Sequence, residues 1–453
     1  MVSVITKDKS FYKNLITLAI PIMLQNLITY SVGLADNLMI GALGDSAVSG
    51  VYMGNQIQTA LQVLSAGVEG GILLLAAQYW GKRDTASIKK VIAVGVRFSA
   101  CLGAFFSILC AIMPRQVINI FTKETAVIDN GVDYLSIVCW SFVFFAVTQA
   151  LIASMRSVEN AKIGTVVSLC SLCIDVTLNY ILINGKLGFP VLGVRGAAIA
   201  TLIARICETV IIACYVRFID KKLLLKVKDL LHINRTIMKD FLRYGLPIVG
   251  GQLVWGINLM ANSIILGHFT EGVITAVSLA NTVNNFMYVA MNGLSAAVGI
   301  IIGKTVGSGD VSKIKEYSRT VQLMFVCLGI LTSLAFWAIR DPFISLYSIS
   351  DEAVSYTTQF INVLRVTCIG TCYQAASLFG LVKSGGDVSF VMKNDTIFVF
   401  LIVIPSAIIA SSLGCAPWIV YACLKCDQVL KCIPAFFKIR KYNWMKNLTR
   451  EAS

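Results

Sequence analysis

The chain repeats itself. The stretch from Pro21 to Lys89 returns, without a gap, from Pro247 to Lys315, an offset of 226. Pro21 falls on Pro247, Ile22 on Ile248, Leu27 on Leu253, Ala35 on Ala261 and Gly41 on Gly267. Further along, Asn55 falls on Asn281, Gly67 on Gly293, Gly81 on Gly307, Asp84 on Asp310, Ile88 on Ile314 and Lys89 on Lys315. A weaker echo, offset by 227, sets "SMRSVENAK" against "LVKSGGDVS". A chain with this pattern builds one architecture twice.

The repeated unit is apolar. Hydrophobic residues make up 57% of the chain and charged residues 14%, against roughly 25% charged in soluble domains. One core cannot hide that much apolar surface, so the chain reads as an integral membrane protein. Its 453 residues admit about twelve spans of about 20 residues each, plus loops. Apolar runs predict helices over 15–39, 47–77, 91–113, 130–155, 163–184 and 192–216, then 242–267, 274–303, 318–340, 354–382, 392–412 and 415–437. Lys425, Asp427 and Lys431 interrupt the last of these, and its inner end is expected to run along the membrane interface.

The expected fold is all-α, with twelve transmembrane helices in two pseudo-symmetric six-helix lobes. The predicted division is an N-lobe at 1–216, a basic connector at 217–241, and a C-lobe with a basic tail at 242–453. Six spans per copy make both copies enter the membrane from the same side, a parallel repeat about an axis along the membrane normal. The seam between such lobes is where a transporter places its substrate.

Net charge is +14, which in a soluble chain would suggest a nucleic-acid partner. Here the basic residues fall in the loops. With both termini cytoplasmic, 31 of the 38 Lys and Arg lie on that side, and only Arg115, Lys123, Lys186, Arg195 and Arg340 lie outside. That asymmetry sets the topology and the contact with anionic headgroups; no nucleic-acid partner is expected. The 14 cysteines fall mostly in apolar segments and read as small hydrophobes. The first apolar run is too long for a cleavable signal peptide.

Polar residues inside the spans carry the functional signal. Asp36 lies in "ITYSVGLADNLMIGALG", where a carboxylate costs about 2.5–3.5 kcal/mol at a helix centre and marks an ion or substrate site by default. Asn262 takes its place in the second copy. Gln25, Thr29, Gly33 and Asp36 recur at helical spacing on the first helix, and Asn55, Thr59, Gln62 and Glu69 on the second. In the second copy Asn258 and Asn262 share a face of the seventh helix, and Asn281, Asn284/Asn285, Tyr288 and Asn292 line the eighth. Such repeated polar faces fit a cavity lining, with interhelical glue as the alternative.

Asp36 lies roughly 30 Å above the start of its helix, at about 1.5 Å per residue, and Asp175 roughly 18 Å up the fifth. Asn179 is one turn beyond Asp175, and Thr201 is near the outer end of the sixth helix. These heights let Asp36, Asp175, Asn179 and Thr201 converge, a set suited to a shared proton or to a hard monovalent cation such as Na+ at Asp36 and Asp175. The alternative for Asp175 is an ion pair with Arg205. Arg205 and Arg365, lone cations within spans, read as members of structural ion pairs, and Glu69 as a titrating or pairing group. Met260, Met287 and Met291 suit either adaptable binding or packing. "GSGD" and "SGGD" lack the spacing of a phosphate-binding loop, and no HExxH or GxSxG motif is present. No catalytic residue and no cofactor beyond a coupling Na+ is expected, and the chain does not read as an enzyme.

The strings "IPIMLQNLITYSVGLADNLMIGALG", "AAQYWGKRD", "DVTLNYILINGKLGFPVLGVRGAAIAT" and "SGGD", with the late Pro405, together resemble the MATE (multidrug and toxic compound extrusion) family of the MOP flippase superfamily. The likeness runs from about residue 12 to 450. It implies twelve helices in two lobes, alternating access, and export of cationic or amphipathic compounds in exchange for Na+ or H+. The family's first-helix acid matches Asp36 and its sixth-helix threonine Thr201. Its fifth-helix Asn-then-Asp pair falls on Asp175 and Asn179 in inverted order. A seventh-helix acid found in some relatives is missing here, and Asp387 in "SGGD" is the one match to that branch. The expected protein is therefore a monomeric antiporter of a bacterial inner membrane, both termini cytoplasmic, with one cation site in its N-lobe. Its partners are small organic cations or amphipathic drugs, H+ or Na+, and lipids. The rival readings are a lipid-linked oligosaccharide flippase of the same superfamily and an uncoupled channel or receptor.

Overall fold

A computed structural model describes residues 5–41, 43–231, 234–347 and 349–450; His232 lies outside them. The described residues are helical, with no strand. Among the described residues nine helices are long and apolar enough to cross a membrane, and Thr125–Val138 with Ser141–Ser157, bent by 53°, gives a tenth.

With Asp351–Lys383 and Pro417–Arg440, each built from successive helical pieces, they make twelve spans in the order that the hydropathy predicts. In the first half they are Lys9–Gly41, Asp45–Gly81, Thr85–Ile112, the bent pair, Lys162–Asn184 and Gly193–Ile219. In the second half they are Arg235–Leu266, Glu271–Ser308, Val311–Ile344, Asp351–Lys383, Val388–Ser412 and Pro417–Arg440. The tenth and eleventh widen into π-helical turns at Ala375–Lys383 and Val399–Val403. The twelfth is broken into Pro417–Lys425, Asp427–Leu430 and Cys432–Arg440.

The repeat has a local cause at the start of the third and ninth helices. Asp84 accepts from Ser87 N at 3.0 Å and Asp310 from Lys313 N at 3.1 Å, so the repeated aspartate is an N-cap in both copies. Pro21 and Pro247, also repeated, stand inside the first and seventh helices, each removing one backbone hydrogen bond.

Contacts divide the chain into two units, Ile20–Val249 and Met1–Ala19 with Gly250–Ser453, so the division runs through the first and seventh helices. In the unit Ile20–Val249, Leu61, Phe142, Leu135 and Ile183 are central to the core. The connector packs on this unit, with Lys89 Nζ 3.3 Å from Asp229 and Arg97 donating to the Leu230 carbonyl. The other unit centres on Phe360, Tyr421, Leu364 and Val403. Its N-terminal segment is held by the ninth helix, where Thr6 N donates to Thr320 Oγ1 at 2.8 Å and Phe11 packs on Tyr317. The tail is held too. Trp444 is fully buried, and Asp387 of "SGGD" receives Lys438 at 2.6 Å and Lys446 at 2.8 Å.

Candidate functional site

A cavity of about 140 Å³ opens within the unit Ile20–Val249. The first helix contributes Thr29, Gly33 and Asp36 to its wall, and the second Asn55, Gln58, Thr59 and Gln62. Tyr134 of the bent fourth span, Ser171 and Asp175 of the fifth, and Thr201 and Arg205 of the sixth complete it. The fifth and sixth helices meet closely because Gly196 has no side chain: a Cβ there would lie 2.7 Å from the Leu182 carbonyl oxygen. That contact sets Thr201 beside the turn that carries Asp175 and Asn179.

Asn179 is the joint. Its Nδ2 donates to Asp36 Oδ1 at 2.8 Å and to Asp175 Oδ2 at 3.3 Å. One carboxamide thus ties the first helix to the fifth through two carboxylates, both of which would be costly to bury as anions. Asp175 Oδ1 and Asn179 Oδ1 are buried without a hydrogen-bond partner. Two orphaned oxygens beside a carboxylate pair make this place rich in acceptors. Tyr134 extends the network by donating to Asn55 Oδ1 at 3.1 Å. The four residues expected to converge, Asp36, Asp175, Asn179 and Thr201, do so here.

Arg205 does not pair with Asp175. Its Nη1 bonds Glu208 Oε2 at 2.8 Å, one turn along the same helix, and its guanidinium lies 5.2 Å from the centre of the Phe145 ring. Sequence reading overlooked Glu208, although the i,i+3 spacing from Arg205 was a usable sign. It also overlooked Tyr134.

Other predicted lining residues are placed elsewhere. Asn55 and Gln62 are in the wall, but Gln25 is 3% exposed and its Oε1 accepts from Arg156 Nη2 at 2.7 Å. Glu69 is not in the cavity wall, because it lies seven residues beyond Gln62, about 10 Å farther along the helix at about 1.5 Å per residue. In the second half, Asn262 Nδ2 donates to Asn258 Oδ1 at 3.1 Å. Asn281 and Asn285 are exposed, Asn284 is buried between them in sequence, and Tyr288 packs against the core around Phe360. Arg365 meets an amide rather than an acid, donating to Asn362 Oδ1 at 3.1 Å.

The second half holds an ionic cluster that was not expected. Lys431 Nζ is 3.0 Å from Asp395 Oδ1 and 2.8 Å from Asp427 Oδ2. Lys431 is only 5% exposed, so this part of the twelfth span does not present its charge to an interface. Gln374 Nε2 donates to the Asp427 carbonyl at 2.8 Å, and Thr371 Oγ1 to Gln428 at 2.7 Å, so the tenth helix caps the break in the twelfth. Among the described residues no group of three or more His, Cys, Asp or Glu is placed to hold a metal ion.

The MatE family model matches residues 21–181 and again 247–409. The chain belongs to the MatE family. The two matches begin 226 residues apart, the offset of the internal repeat. The uncharacterized transporter YisQ of Bacillus subtilis is 23% identical over 88% of this chain and 87% of its own. The probable multidrug resistance protein NorM of Thermotoga maritima is 24% identical over 79% and 76%. A MATE protein crystallised in complex with MaL6 superposes with a TM-score of 0.85 at 19% identity, covering 95% of this chain and 96% of its own. The MatE chain described here is therefore a multi-pass membrane transporter with the two-lobe, twelve-span fold, and not an enzyme.

Proposed function

We propose that this MatE protein is an ion-coupled antiporter that exports cationic or amphipathic compounds from a bacterial cell. It works in the inner membrane as a monomer, with both termini cytoplasmic as the distribution of Lys and Arg favours. The observation that carries this reading is Asn179 bridging Asp36 and Asp175 at the wall of a cavity. Two carboxylates on one amide carry more negative charge than the site can solvate, so the pair draws a proton or a Na+ from outside. Thr201 and the orphaned Asp175 Oδ1 add oxygen ligands to the same place.

Coupling then follows from the first helix. Loading the pair removes charge at Asp36 and changes how strongly this helix is held to the fifth. Pro21, which leaves one backbone bond unmade, gives the helix a place to bend. The same helix contributes Thr29 and Gly33 to the cavity, so its movement alters the wall that meets cargo. The name of the NorM relative, a probable multidrug resistance protein, supports drug-like cargo. The flippase reading needs guanidinium groups ready for pyrophosphate, whereas Arg205 is engaged by Glu208 and Arg365 by Asn362.

The test is dye efflux from proteoliposomes with the H+ and Na+ gradients imposed separately. One gradient should drive efflux by the wild type, and Asp36→Asn should insert normally but lose gradient-driven efflux. Full activity of Asp36→Asn would refute the mechanism.

A further inference from the structure

Arg205 is a permanent positive charge in the wall of a cavity whose other charged groups are acids. The titratable and charged groups around that space are Asp36 on the first helix, Tyr134 on the fourth, Asp175 on the fifth and Arg205 on the sixth, with Glu208 behind Arg205. The second helix offers only amides and a hydroxyl, Asn55, Gln58, Gln62 and Thr59. A guanidinium does not deprotonate in a protein, so Arg205 cannot be switched off. It can only be held in one place or another. Here Glu208 holds it, with a side chain 2% exposed against 14% for Arg205. Arg205 thus reaches the cavity and its partner does not.

A bystander ion pair in a span needs no cavity, and a cavity built only to receive a cation gains nothing from a guanidinium in its wall. The two facts fit together if the guanidinium has work to do when the carboxylates are empty. Emptying Asp36 and Asp175 leaves uncompensated negative charge in a poorly solvated place. Among the described residues lining the cavity the one countercharge is Arg205, on a long side chain one turn from Thr201.

We propose that Arg205 and Glu208 form an internal counter-ion switch for the coupling site: Glu208 holds the guanidinium while Asp36 and Asp175 carry their ion, and the guanidinium turns to the carboxylates when the ion leaves. Guanidinium and coupling ion compete for the same acids. This speeds release of the ion on the cytoplasmic side, and it prevents the empty pair from being bare during the return step. The proposal rests on the reading that Asp36 and Asp175 take the coupling ion.

The switch predicts shifts of opposite sign. The readout is the concentration of coupling ion, whichever of H+ or Na+ drives the wild type, that gives half-maximal dye efflux from proteoliposomes. Arg205→Gln with Glu208→Gln removes the competitor without leaving an unpaired buried charge, and should lower that concentration about tenfold, the effect of one charge at close range. Glu208→Gln alone frees the guanidinium and should raise it about tenfold. Arg205→Lys keeps the charge and should stay within about threefold of wild type. Should the double variant fold poorly, a tenfold rise in Glu208→Gln beside a near-wild-type Arg205→Lys still decides. A shift under twofold in both Gln variants, or shifts in the same direction, would overturn the switch and leave Arg205 a packing residue. Retained gradient-driven efflux by Asp36→Asn in the same assay would instead remove the coupling site on which the switch rests.

Discussion

In the unit Ile20–Val249, two carboxylates, Asp36 and Asp175, meet across the carboxamide of Asn179. In the other unit, two carboxylates, Asp395 and Asp427, meet across the ammonium of Lys431. Both clusters tie neighbouring spans together, and each holds a buried carboxylate, Asp175 in one and Asp427 in the other. The difference is the group in the middle. An amide donates hydrogen bonds and brings no charge, so it gives its two acids no countercharge of its own. An ammonium brings its own positive charge, fixed to the chain. On the proposed reading the first arrangement exchanges an ion through its cavity, whereas the second already carries its cation. On that reading the repeated fold keeps one half exchangeable and the other half closed.

The largest expected effect that separates the two comes from Lys431→Met. Removing the cation strands two buried acids, and loss of one partner of a buried ion pair costs about 3–5 kcal/mol. Melting temperature in detergent should fall sharply. The ion dependence of efflux by the protein that does insert should be unchanged. If Lys431→Met instead alters the half-maximal ion concentration and leaves stability intact, the two clusters do the same work and the contrast is lost.

Asn179→Ala sharpens the other side. It removes a donor shared by Asp36 and Asp175, each bond to a charged group being worth about 1.5–3 kcal/mol. The half-maximal ion concentration should change by about tenfold or more, with a smaller loss of stability than in Lys431→Met. An unchanged ion dependence would show that the bridge is only structural.

The smallest effect concerns Asp387, in the loop between the tenth and eleventh spans. Burial acts to raise the Asp387 carboxyl, but Lys438 and Lys446 outweigh it and hold it below the ordinary carboxylate range. A carboxyl depressed in the folded state contributes stability above its unfolded pKa of about 3.9, and that contribution is lost as pH falls through its folded value. Asp387→Asn should cost about 1–2 kcal/mol near neutral pH, with the difference from wild type shrinking in acid below about pH 4. A difference that persists unchanged at low pH would mean that the loop is held by Trp444 and the backbone rather than by charge.

Much of the fold was legible because its causes are local. Apolar runs of membrane-spanning length, the repeated proline, and the repeated Asp84 and Asp310 caps all leave marks in the sequence. The convergence of Asp36, Asp175, Asn179 and Thr201 was legible because an acid inside a span has few places to go. What stayed hidden depended on how each helix is rotated against its neighbours. Gln25 lies on the same stripe as Asp36, yet it turns to Arg156. Asp395 and Lys431 come from different helices, and their 3.0 Å contact has no counterpart in sequence spacing. The breaks in the twelfth helix were visible as Lys425, Asp427 and Lys431 but were read as exposure, because a charge in a span looks alike whether it meets water or a partner.

The most direct test is a count of ions bound at the carboxylate pair, independent of cargo. Purified protein at equilibrium would be titrated with Na+ while proton release is followed, for the wild type, for Asp36→Asn with Asp175→Asn, and for Lys431→Met. The account predicts saturable ion uptake or proton exchange in the wild type and in folded Lys431→Met, and none in the double Asn variant. Undiminished ion uptake by the double Asn variant would contradict it.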